Sequence, residues 1–352
     1  MASSSNKVDY EDLRKNAKLG ARKAFKKQDL SNTRTYLIIA GIVLIIGIFS
    51  SLLFMNPEQP LHLVQALDPD FLTTLTQMNL SFKVKQNTFF KDWSLADVKL
   101  AAQTGTSQQA RNLSPCTSFF ADFEPAESYD LRDEFQLCIQ DPQDQLNCSS
   151  SYSFATASAA AERFCIKSNS ANSPKLSLQQ MVSCSKKNSG CTSGNIDTAW
   201  EYIRDSGLVE SLHFPYTSQH MKFPDCTEKQ DERLYRVTDV CATNSELGIM
   251  KEIQTNGPVV ALIHLYTDFL PYSSGVYFPS SISSKIQGAQ AVSIIGWGST
   301  ENYSYWIVKN SWGTSWGEAG YALVLRNSTE LGIEDLAVAG SPIIETNTAQ
   351  SE

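Results

Sequence analysis

The sequence has no surplus of basic residues. Its 29 Lys and Arg against 37 Asp and Glu give a formal net charge of −8, which argues against nucleic acid as a main partner because phosphate binding needs a basic face. It also has no Cys-x-x-Cys pair, and its eight cysteines are spread over 126 residues, so they do not predict a zinc site. We expect neither a metal nor a cofactor. With 42% hydrophobic and 19% charged residues, the composition excludes a fibrous or broadly disordered chain.

The charge is distributed unevenly along the chain. Residues 1–34 carry nine Lys and Arg and four Asp and Glu, a net charge of +5, which leaves −13 for the remainder. An uncharged apolar run of 20 residues, Tyr36–Met55, follows, and a helix of this length spans a bilayer core of about 30 Å. A buried core helix explains the run less well because such helices keep an amphipathic side. A cleaved signal peptide explains it less well because no small-residue cleavage site follows.

The residues around this run predict its orientation. Four Lys and Arg lie in positions 23–34, whereas three Asp and Glu lie in positions 58–70. By the positive-inside rule the N-terminus is cytosolic and the C-terminal part is lumenal or extracellular. The sequence therefore predicts a single-pass type II protein of the cell surface or of a secretory or endolysosomal membrane.

Cysteines and glycosylation sequons agree with this orientation. An even number of cysteines suits disulfides in an oxidising compartment, and all of them follow the apolar run: Cys116, Cys138, Cys148, Cys165, Cys184, Cys191, Cys226 and Cys241. Five N-x-S/T sequons also follow it: Asn79, Asn112, Asn147, Asn302 and Asn327. Each sequon alone is weak, but together they favour a lumenal glycoprotein.

The pattern divides the chain into five parts. We expect a cytosolic basic tail (1–34), a transmembrane signal-anchor helix (35–55), a mixed segment (56–125), a large domain (126–345) and a short tail (346–352).

In the large domain the patterns change from helices to strands. An Ala-rich stretch at 151–166 predicts a buried helix opened by serines suited to capping. A second helix is predicted over 195–205, ended by Gly207. After Pro258, four runs predict strands: VVALIHLY, AVSIIGWG, YSYWIVKN and GYALVLRN. This order indicates an α+β fold in two halves.

A set of motifs in this domain resembles the papain-like cysteine peptidases, and cathepsin B most closely. The motifs include CSSSYSF (148–154), CTSG (191–194), NGPV (256–259), GWG (296–298) and KNSWGTSWGEAGY (309–321). SYDLRDEF (128–135) and LGIEDLAVAGSP (331–342) carry the likeness to cathepsin B, and FFKDWSLADVKLAAQTGT (89–106) is similar to the end of its propeptide. The resemblance implies a two-lobed α+β fold, with a helical left lobe and a β-barrel-like right lobe, and residues 56–125 are hereafter the propeptide-like segment.

The resemblance also implies where catalytic residues lie. The oxyanion donor position is Gln145 and the orienting position is Asn310, but the nucleophile position holds Ser151 and the base position holds Gln290. A serine hydroxyl attacks only when a base removes its proton, and a carboxamide is no base. We therefore expect an inactive site, in which a hydrogen bond between Ser151 and Gln290 is one way to satisfy both groups.

Other residues receive roles by resemblance. Gly194 pairs with a substrate backbone in the family, Ser193 replaces a family glycine, and Trp312 shields Asn310. Leu262 is a candidate for the substrate pocket, although a core role is also open. The only histidines are His62, His213, His220 and His264, and none occupies the base position. The His-His pair of the cathepsin B exopeptidase loop is absent from residues 210–229.

The family pattern implies three disulfides. These are Cys148–Cys191, Cys184–Cys226 and Cys138–Cys165. Cys116 and Cys241 are the two cysteines left over, and their pairing is predicted only because the number of cysteines is even.

Three functions stay open at this point. The first is a membrane-anchored pseudopeptidase that binds protein partners, and it is the one we favour. The second is a working endopeptidase that uses Ser151 as nucleophile. The third is a structural subunit of a membrane assembly. We also expect the propeptide-like segment to stay with the domain and to pack over the cleft.

Overall fold

The computed structural model describes residues 60–116, 123–218, 224–227 and 232–344. Within these ranges, no helix combines the length and the apolar character needed to cross a bilayer. The predicted tails (1–34 and 346–352) and the predicted transmembrane helix (35–55) lie outside the described residues.

The described chain combines helices with strands. The helices are α1 Pro69–Gln77, α2 Leu95–Ala101, α3 Leu131–Glu134, α4 Ser151–Lys167, α5 Leu178–Cys184, α6 Ile196–Asp205 and α7 Glu246–Asn256, with 3-10 turns at Leu61–Leu63 and Gln108–Asn112. The strands are β1 Phe82–Val84, β2 Thr104–Gly105, β3 Ser114–Pro115, β4 Tyr129–Asp130, β5 Gly194–Asn195, β6 Val237–Thr243, β7 Val259–Tyr266, β8 Tyr272–Tyr277, β9 Lys285–Ser299, β10 Ser304–Lys309, β11 Tyr321–Leu325 and β12 Ala337–Pro342.

Helix α4 is the central helix of the left lobe, and its small side chains explain its position. Residues 151–165 are all buried, which is possible because alanine and serine let other elements pack closely on every side. The predicted helix is confirmed, but the capping is not. Ser150 occupies the N-cap without a side-chain capping bond, and its hydroxyl instead donates to the Cys148 carbonyl at 3.4 Å.

The right lobe is built on a ten-stranded sheet with the order β1-β8-β11-β10-β9-β7-β12-β6-β3, in which β4 also pairs with β9. Strand β9 is the longest of these strands and is bordered by β7 and β10. The four predicted strands are present as β7, β9, β10 and β11. The pattern missed β6, β8 and β12 because Asp, Ser, Gly and Pro interrupt their alternation, so their strand conformation depends on pairing with neighbours.

Among the described residues, the two largest hydrophobic clusters correspond to the two lobes. The left core collects the alanines of α4 together with Trp200 and Met181. The right core is rich in aromatic residues, including Trp297 and Trp306. This arrangement is the α+β architecture that the motifs implied.

Buried ion pairs connect α4 to the right lobe. Arg163 Nη1 lies 2.9 Å from Glu252 on α7, and its Nε donates to the Pro258 carbonyl at 2.7 Å. Burial lowers the pKa of Arg163. Next to it, Glu162 pairs with Lys309 of β10. Removing one partner of such a pair typically costs about 3–5 kcal/mol because the other charge stays buried.

Four disulfides cross-link the described part of the chain: Cys116–Cys241, Cys138–Cys165, Cys148–Cys191 and Cys184–Cys226. These are the four pairs that the sequence predicted, including the one obtained by subtraction. Cys116–Cys241 joins the propeptide-like segment to β6.

The propeptide-like segment contributes to both lobes. Its strand β1 pairs with β8 and its strand β3 with β6, both in the right lobe, whereas β2 pairs in parallel with β5 of the left lobe. Phe82, Phe90 and Val98 of the segment belong to the right core. The segment therefore packs over the cleft between the lobes, as expected.

Candidate active-site cleft

Ser151 lies at the first position of α4, at the bottom of the cleft, and is completely buried. Its Oγ accepts a hydrogen bond from the Ala291 backbone N–H at 3.2 Å. It also shares a hydrogen bond of 2.7 Å with Thr104 Oγ1 of the propeptide-like segment. The hydroxyl at the nucleophile position is thus bonded to backbone and to another hydroxyl.

Gln290 lies on β9 and is also buried. Its Nε2 is a donor to three oxygens: Gln145 Oε1 at 2.8 Å, Asn310 Oδ1 at 3.0 Å and Ser311 Oγ at 3.0 Å. Among the described residues, no hydrogen bond joins Gln290 to Ser151. The Ser151–Gln290 hydrogen bond considered from the sequence is therefore not formed, because each of the two side chains bonds to other partners.

Gln145 completes a closed set of amide and hydroxyl bonds. Its Nε2 donates to the Cys148 carbonyl at 3.0 Å, and its Oε1 also accepts from Ser311 Oγ at 2.7 Å. The Gln145 backbone N–H donates to the Ser311 carbonyl at 2.9 Å. The amide donor that would face an oxyanion is therefore bonded within the protein.

Asn310 accepts at its Oδ1 from the Ser311 backbone N–H at 2.8 Å as well as from Gln290. Its Nδ2 is buried without a partner in the described part of the chain. Asn310 thus presents its oxygen to position 290, as an orienting residue would, but the group that it orients is an amide.

The propeptide-like segment contacts two of the four predicted substrate residues, Gly194 and Trp312. The Gly194 N–H donates to the Gln103 carbonyl at 3.3 Å, and a Cβ on Gly194 would lie 2.4 Å from the Tyr152 ring. Trp312 is nearly buried and meets Phe90 edge-on, with ring centroids 4.8 Å apart.

The other two predicted substrate residues make no contact with the segment that the structure records. Leu262 is partly buried on β7 and packs against the left core. This agrees with the core role that the sequence analysis left open. The Ser193 carbonyl accepts from the Ser189 N–H at 2.9 Å, which places Ser193 in a local turn.

The described histidines lie apart from these residues. His62 is exposed in the first 3-10 turn. His213 pairs with Glu232 at 2.9 Å. His264 Nδ1 lies 3.0 Å from the Glu330 carbonyl. Neither of these two contacts involves Ser151, and His220 lies outside the described residues.

Sequence reasoning missed three residues of the cleft. Ser149 Oγ accepts from the Gln103 N–H at 3.0 Å, Thr104 meets Ser151, and Ser311 links Gln145 with Gln290. Ser149 and Ser311 adjoin recognised motif positions, so their neighbourhood was a usable signal. Thr104 lies in a segment that the resemblance placed over the cleft, but the resemblance did not indicate which of its side chains meets Ser151.

Tyr216 supports the cleft from the left lobe. Its hydroxyl donates to the Gln145 carbonyl at 2.9 Å. Burial raises the pKa of Tyr216 to about 12, and Asp144 adds to the shift, whereas the contact with Ser150 opposes it. The phenol therefore stays protonated, as a donor must, throughout the physiological range.

Two further observations concern metals and glycans. Within the described ranges, one group of possible metal ligands consists of Cys116, Cys241 and Glu252, but the two cysteines form a disulfide and offer no thiolate. All five sequon asparagines are exposed, as attachment of a glycan requires.

Comparison with known proteins places the chain in a family. Residues 125–341 match the family described as "Papain family cysteine protease". The human tubulointerstitial nephritis antigen is 38% identical over 232 residues, which are 56% of this chain and 49% of that protein. Cathepsin B-like CP3 of Giardia intestinalis is 32% identical over 222 residues, which are 61% of this chain and 74% of that protein. The chain spans about half the length of the human and bovine antigens that it matches.

Solved structures extend the likeness. Procathepsin B S9 from Trypanosoma congolense has a TM-score of 0.73 at 29% identity, and the match covers 80% of this chain and 100% of that one. Procathepsin L 3 of the Tenebrio molitor larval midgut has a TM-score of 0.65 at 26% identity, with 76% and 86% covered. The match with procathepsin B S9 covers 80% of this chain, which is more than residues 125–352 alone amount to. The structural likeness therefore includes part of the propeptide-like segment. By its sequence match, its fold and its relatives, the chain belongs to the papain family of cysteine proteases.

Proposed function

We propose that this chain is a pseudopeptidase: a papain-fold domain without peptidase activity that serves as a protein-binding or structural module. The observation that carries the proposal is the bonding of Ser151, whose Oγ contacts the Ala291 N–H and the Thr104 hydroxyl. A serine becomes a nucleophile only when a neighbouring base removes its proton. A peptide N–H and an alcohol are not bases at neutral pH.

The residue at the base position supports the same conclusion. Gln290 Nε2 donates to Gln145, Asn310 and Ser311, and a carboxamide does not accept a proton in water at neutral pH. Loss of either member of a nucleophile–base pair typically lowers kcat by about 10⁶. Here both positions hold residues that only form hydrogen bonds.

The oxyanion donor is also engaged. Gln145 Nε2 donates to the Cys148 carbonyl, so a substrate carbonyl must compete with an existing bond. An oxyanion-hole donor is worth about 3–4 kcal/mol only when it is free and aimed at the developing charge. The cleft therefore lacks the base and, in this state, the free oxyanion donor.

A binding or structural role is consistent with the rest of the chain. The apolar run Tyr36–Met55 is long enough to anchor the protein in a membrane. Exposed sequons and four disulfides suit a lumenal or extracellular domain. We propose that the anchor holds the domain at a membrane of the secretory or endolysosomal system, or at the cell surface, where it meets protein partners.

The test of inactivity uses the purified full chain in detergent. We expect no turnover of fluorogenic peptides above a heat-denatured control and no labelling of residue 151 by a thiol-directed epoxide. Turnover that is lost in Ser151→Ala would contradict the proposal and establish the serine endopeptidase instead. The Ser151→Cys/Gln290→His variant replaces both missing groups on the same fold and is the positive control. Both chains are assayed before and after limited proteolysis that digests the propeptide-like segment, because the intact segment covers the cleft.

The test of the binding role is capture from solubilised membranes. A partner bound at fixed stoichiometry indicates a structural subunit, whereas substoichiometric, exchangeable partners indicate a binding module. Failure of the full chain to sediment with membranes would contradict the proposed anchor.

A further inference from the structure

We propose that the propeptide-like segment is a permanent occupant of the cleft and that Ser149 and Ser151 are its anchoring residues. This inference rests on the proposed function, because a cleft that turns over no substrate has no need to open. The argument uses polar contacts at the cleft, the fit of the segment at two glycines, its apolar side chains and its covalent link.

The first observation is the bonding of residues 102–104. The Gln103 N–H donates to Ser149 Oγ at 3.0 Å, and Thr104 Oγ1 bonds to Ser151 Oγ at 2.7 Å. Both serines are fully buried. A hydroxyl is a strong donor and acceptor, whereas a thiol is weak in both roles, so serine at position 151 holds the segment better than a cysteine nucleophile would.

Backbone bonds extend this contact to both lobes. The Ala289 N–H of the right lobe donates to the Ala102 carbonyl at 2.8 Å, and the Gly194 N–H of the left lobe donates to the Gln103 carbonyl at 3.3 Å. Further along, the Ser107 N–H donates to the nearly buried carboxylate of Asp197 at 2.8 Å. Hydrogen bonds to a charged group are stronger than those between neutral groups.

The second observation is that the right lobe leaves space for the segment at two glycines. A Cβ on Gly288 would lie 2.2 Å from the Ala102 carbonyl oxygen, and a Cβ on Gly275 would lie 2.6 Å from the Ser81 carbonyl oxygen. Both glycines have positive φ angles, +125° and +88°, which other residues rarely adopt. The segment backbone therefore fits places where no side chain is tolerated.

The third observation is burial. Phe82 and Phe90 are at most 4% exposed and belong to the right core. Asn87 Nδ2 is also buried and donates to the Leu270 carbonyl at 2.9 Å. Removal of the segment would expose these groups together with the surfaces that they cover.

The fourth observation is covalent. Cys116–Cys241 joins the end of the described segment to β6 across 125 residues of sequence. A peptide-bond cut between 117 and 126 would leave the segment attached through this disulfide. The chain therefore keeps the segment by two independent means, one covalent and one non-covalent.

The experiment separates these two means. A site for a sequence-specific protease is placed between residues 117 and 122 of the full chain, which carries a C-terminal tag and is kept in detergent. After cutting, the tagged part is captured and the retained N-terminal fragment is measured over time. We expect full retention without reductant, and slow, measurable release with a half-life of many hours in a Cys116→Ser/Cys241→Ser background.

Matched variants in that background test the hydroxyl anchor. Thr104→Val removes the bond to Ser151 and should speed release of the fragment about five- to tenfold, the effect of one hydrogen bond. Thr104→Ser keeps the hydroxyl and should behave as the parent. Thr106→Val makes the same change at an exposed side chain two residues away and should also behave as the parent.

Two outcomes would overturn the inference: loss of the fragment from the parent within the time of capture, or equal release rates for Thr104→Val and Thr106→Val. Peptide turnover by the cut chain is measured in the same samples. Turnover would contradict the proposed function, whereas release without turnover would contradict only the permanent occupation.

Discussion

The two walls of the cleft satisfy their polar groups in different ways. One wall, hereafter the amide wall, consists of Gln145, Gln290, Asn310 and Ser311, and its bonds run almost entirely among its own members. The other, hereafter the hydroxyl wall, consists of Ser149, Ser151 and Gly194, and bonds to Gln103 and Thr104 of the propeptide-like segment.

The hydrogen bonds of the amide wall are made almost entirely within the wall itself, whereas those of the hydroxyl wall are made largely to the segment that occupies the cleft. The bonds of the amide wall do not involve the segment, so a substrate would have to break existing bonds there. The hydroxyl wall offers the same donors and acceptors to any extended chain once the segment is gone. The proposed inactivity would therefore depend on the amide wall and on Ser151, whereas the recorded contacts with an extended chain are made by the hydroxyl wall.

The largest expected effect tests whether the segment that covers both walls is part of the core. Phe90→Ala should lower the free energy of unfolding by about 3–5 kcal/mol, because Phe90 is 1% exposed and packs on Trp312. Denaturant titration gives the value. Phe89→Ala is the control, since the same change at a half-buried neighbour should cost less. Equal small losses would show that the segment covers the cleft without belonging to the core.

The next effect tests the amide wall. Gln290→Leu removes the hydrogen bonds from Nε2 to Gln145, Asn310 and Ser311. It should cost about 1–3 kcal/mol, since one hydrogen bond contributes about 0.5–1.5 kcal/mol and Ser311 still donates to both amide oxygens. Gln290→His keeps a ring N–H and should cost less. If leucine and histidine destabilise the protein equally, the wall owes its stability to packing and not to these bonds.

A smaller effect tests the independence of the walls. Ser151→Ala and Thr104→Val each remove one shared bond, so a double-mutant cycle between them should give a coupling energy of about 1 kcal/mol. The cycle between Thr104→Val and Gln290→Leu should be additive within about 0.5 kcal/mol. Coupling of equal size in both cycles would mean that the two walls form one network.

An effect confined to alkaline pH concerns Tyr216 behind the cleft, whose pKa burial raises to about 12. A phenol in the unfolded chain ionises near pH 10, so from about pH 10 to 12 the folded state binds more protons than the unfolded state. Stability should therefore fall as the pH rises through this range. Tyr216→Phe should show a shallower fall in denaturant titrations at these pH values. An unchanged slope would contradict the raised pKa.

The resemblance carried by the whole ordered set of motifs, from CSSSYSF to KNSWG, predicted the fold and placed Ser151, Gln290, Asn310 and Gln145 in one cleft. The motifs carry this resemblance to a known family and not a rule of local geometry. They did not specify side-chain partners. The Ser151–Gln290 bond was wrong because the Ala291 N–H and the Thr104 hydroxyl are in reach of Ser151.

The strand β12 and the residue Thr104 show why the other features of the fold and of the site could not be predicted from the sequence. AVAGSP has little strand propensity, and it is extended because β6 and β7 pair with it on both sides. Thr104 meets Ser151 because the segment crosses the cleft in one register. Both facts depend on contacts between residues distant in sequence, which periodicity and propensity do not report.

The Cys116–Cys241 disulfide has a consequence for biosynthesis. During translation at about 5–20 residues per second, Cys116 waits about 6–25 s for its partner, and all six other cysteines of the chain are made in that interval. Each of these is a possible wrong partner. Correct maturation therefore favours late oxidation of Cys116, after the nearer pairs have closed, or repair of early errors by a disulfide isomerase. A Cys241→Ser chain would leave Cys116 without its partner, so mispaired products should accumulate. A Cys116→Ser chain would leave the Cys241 thiol on β6, which pairs with β12 in the folded sheet, so fewer mispaired products are expected.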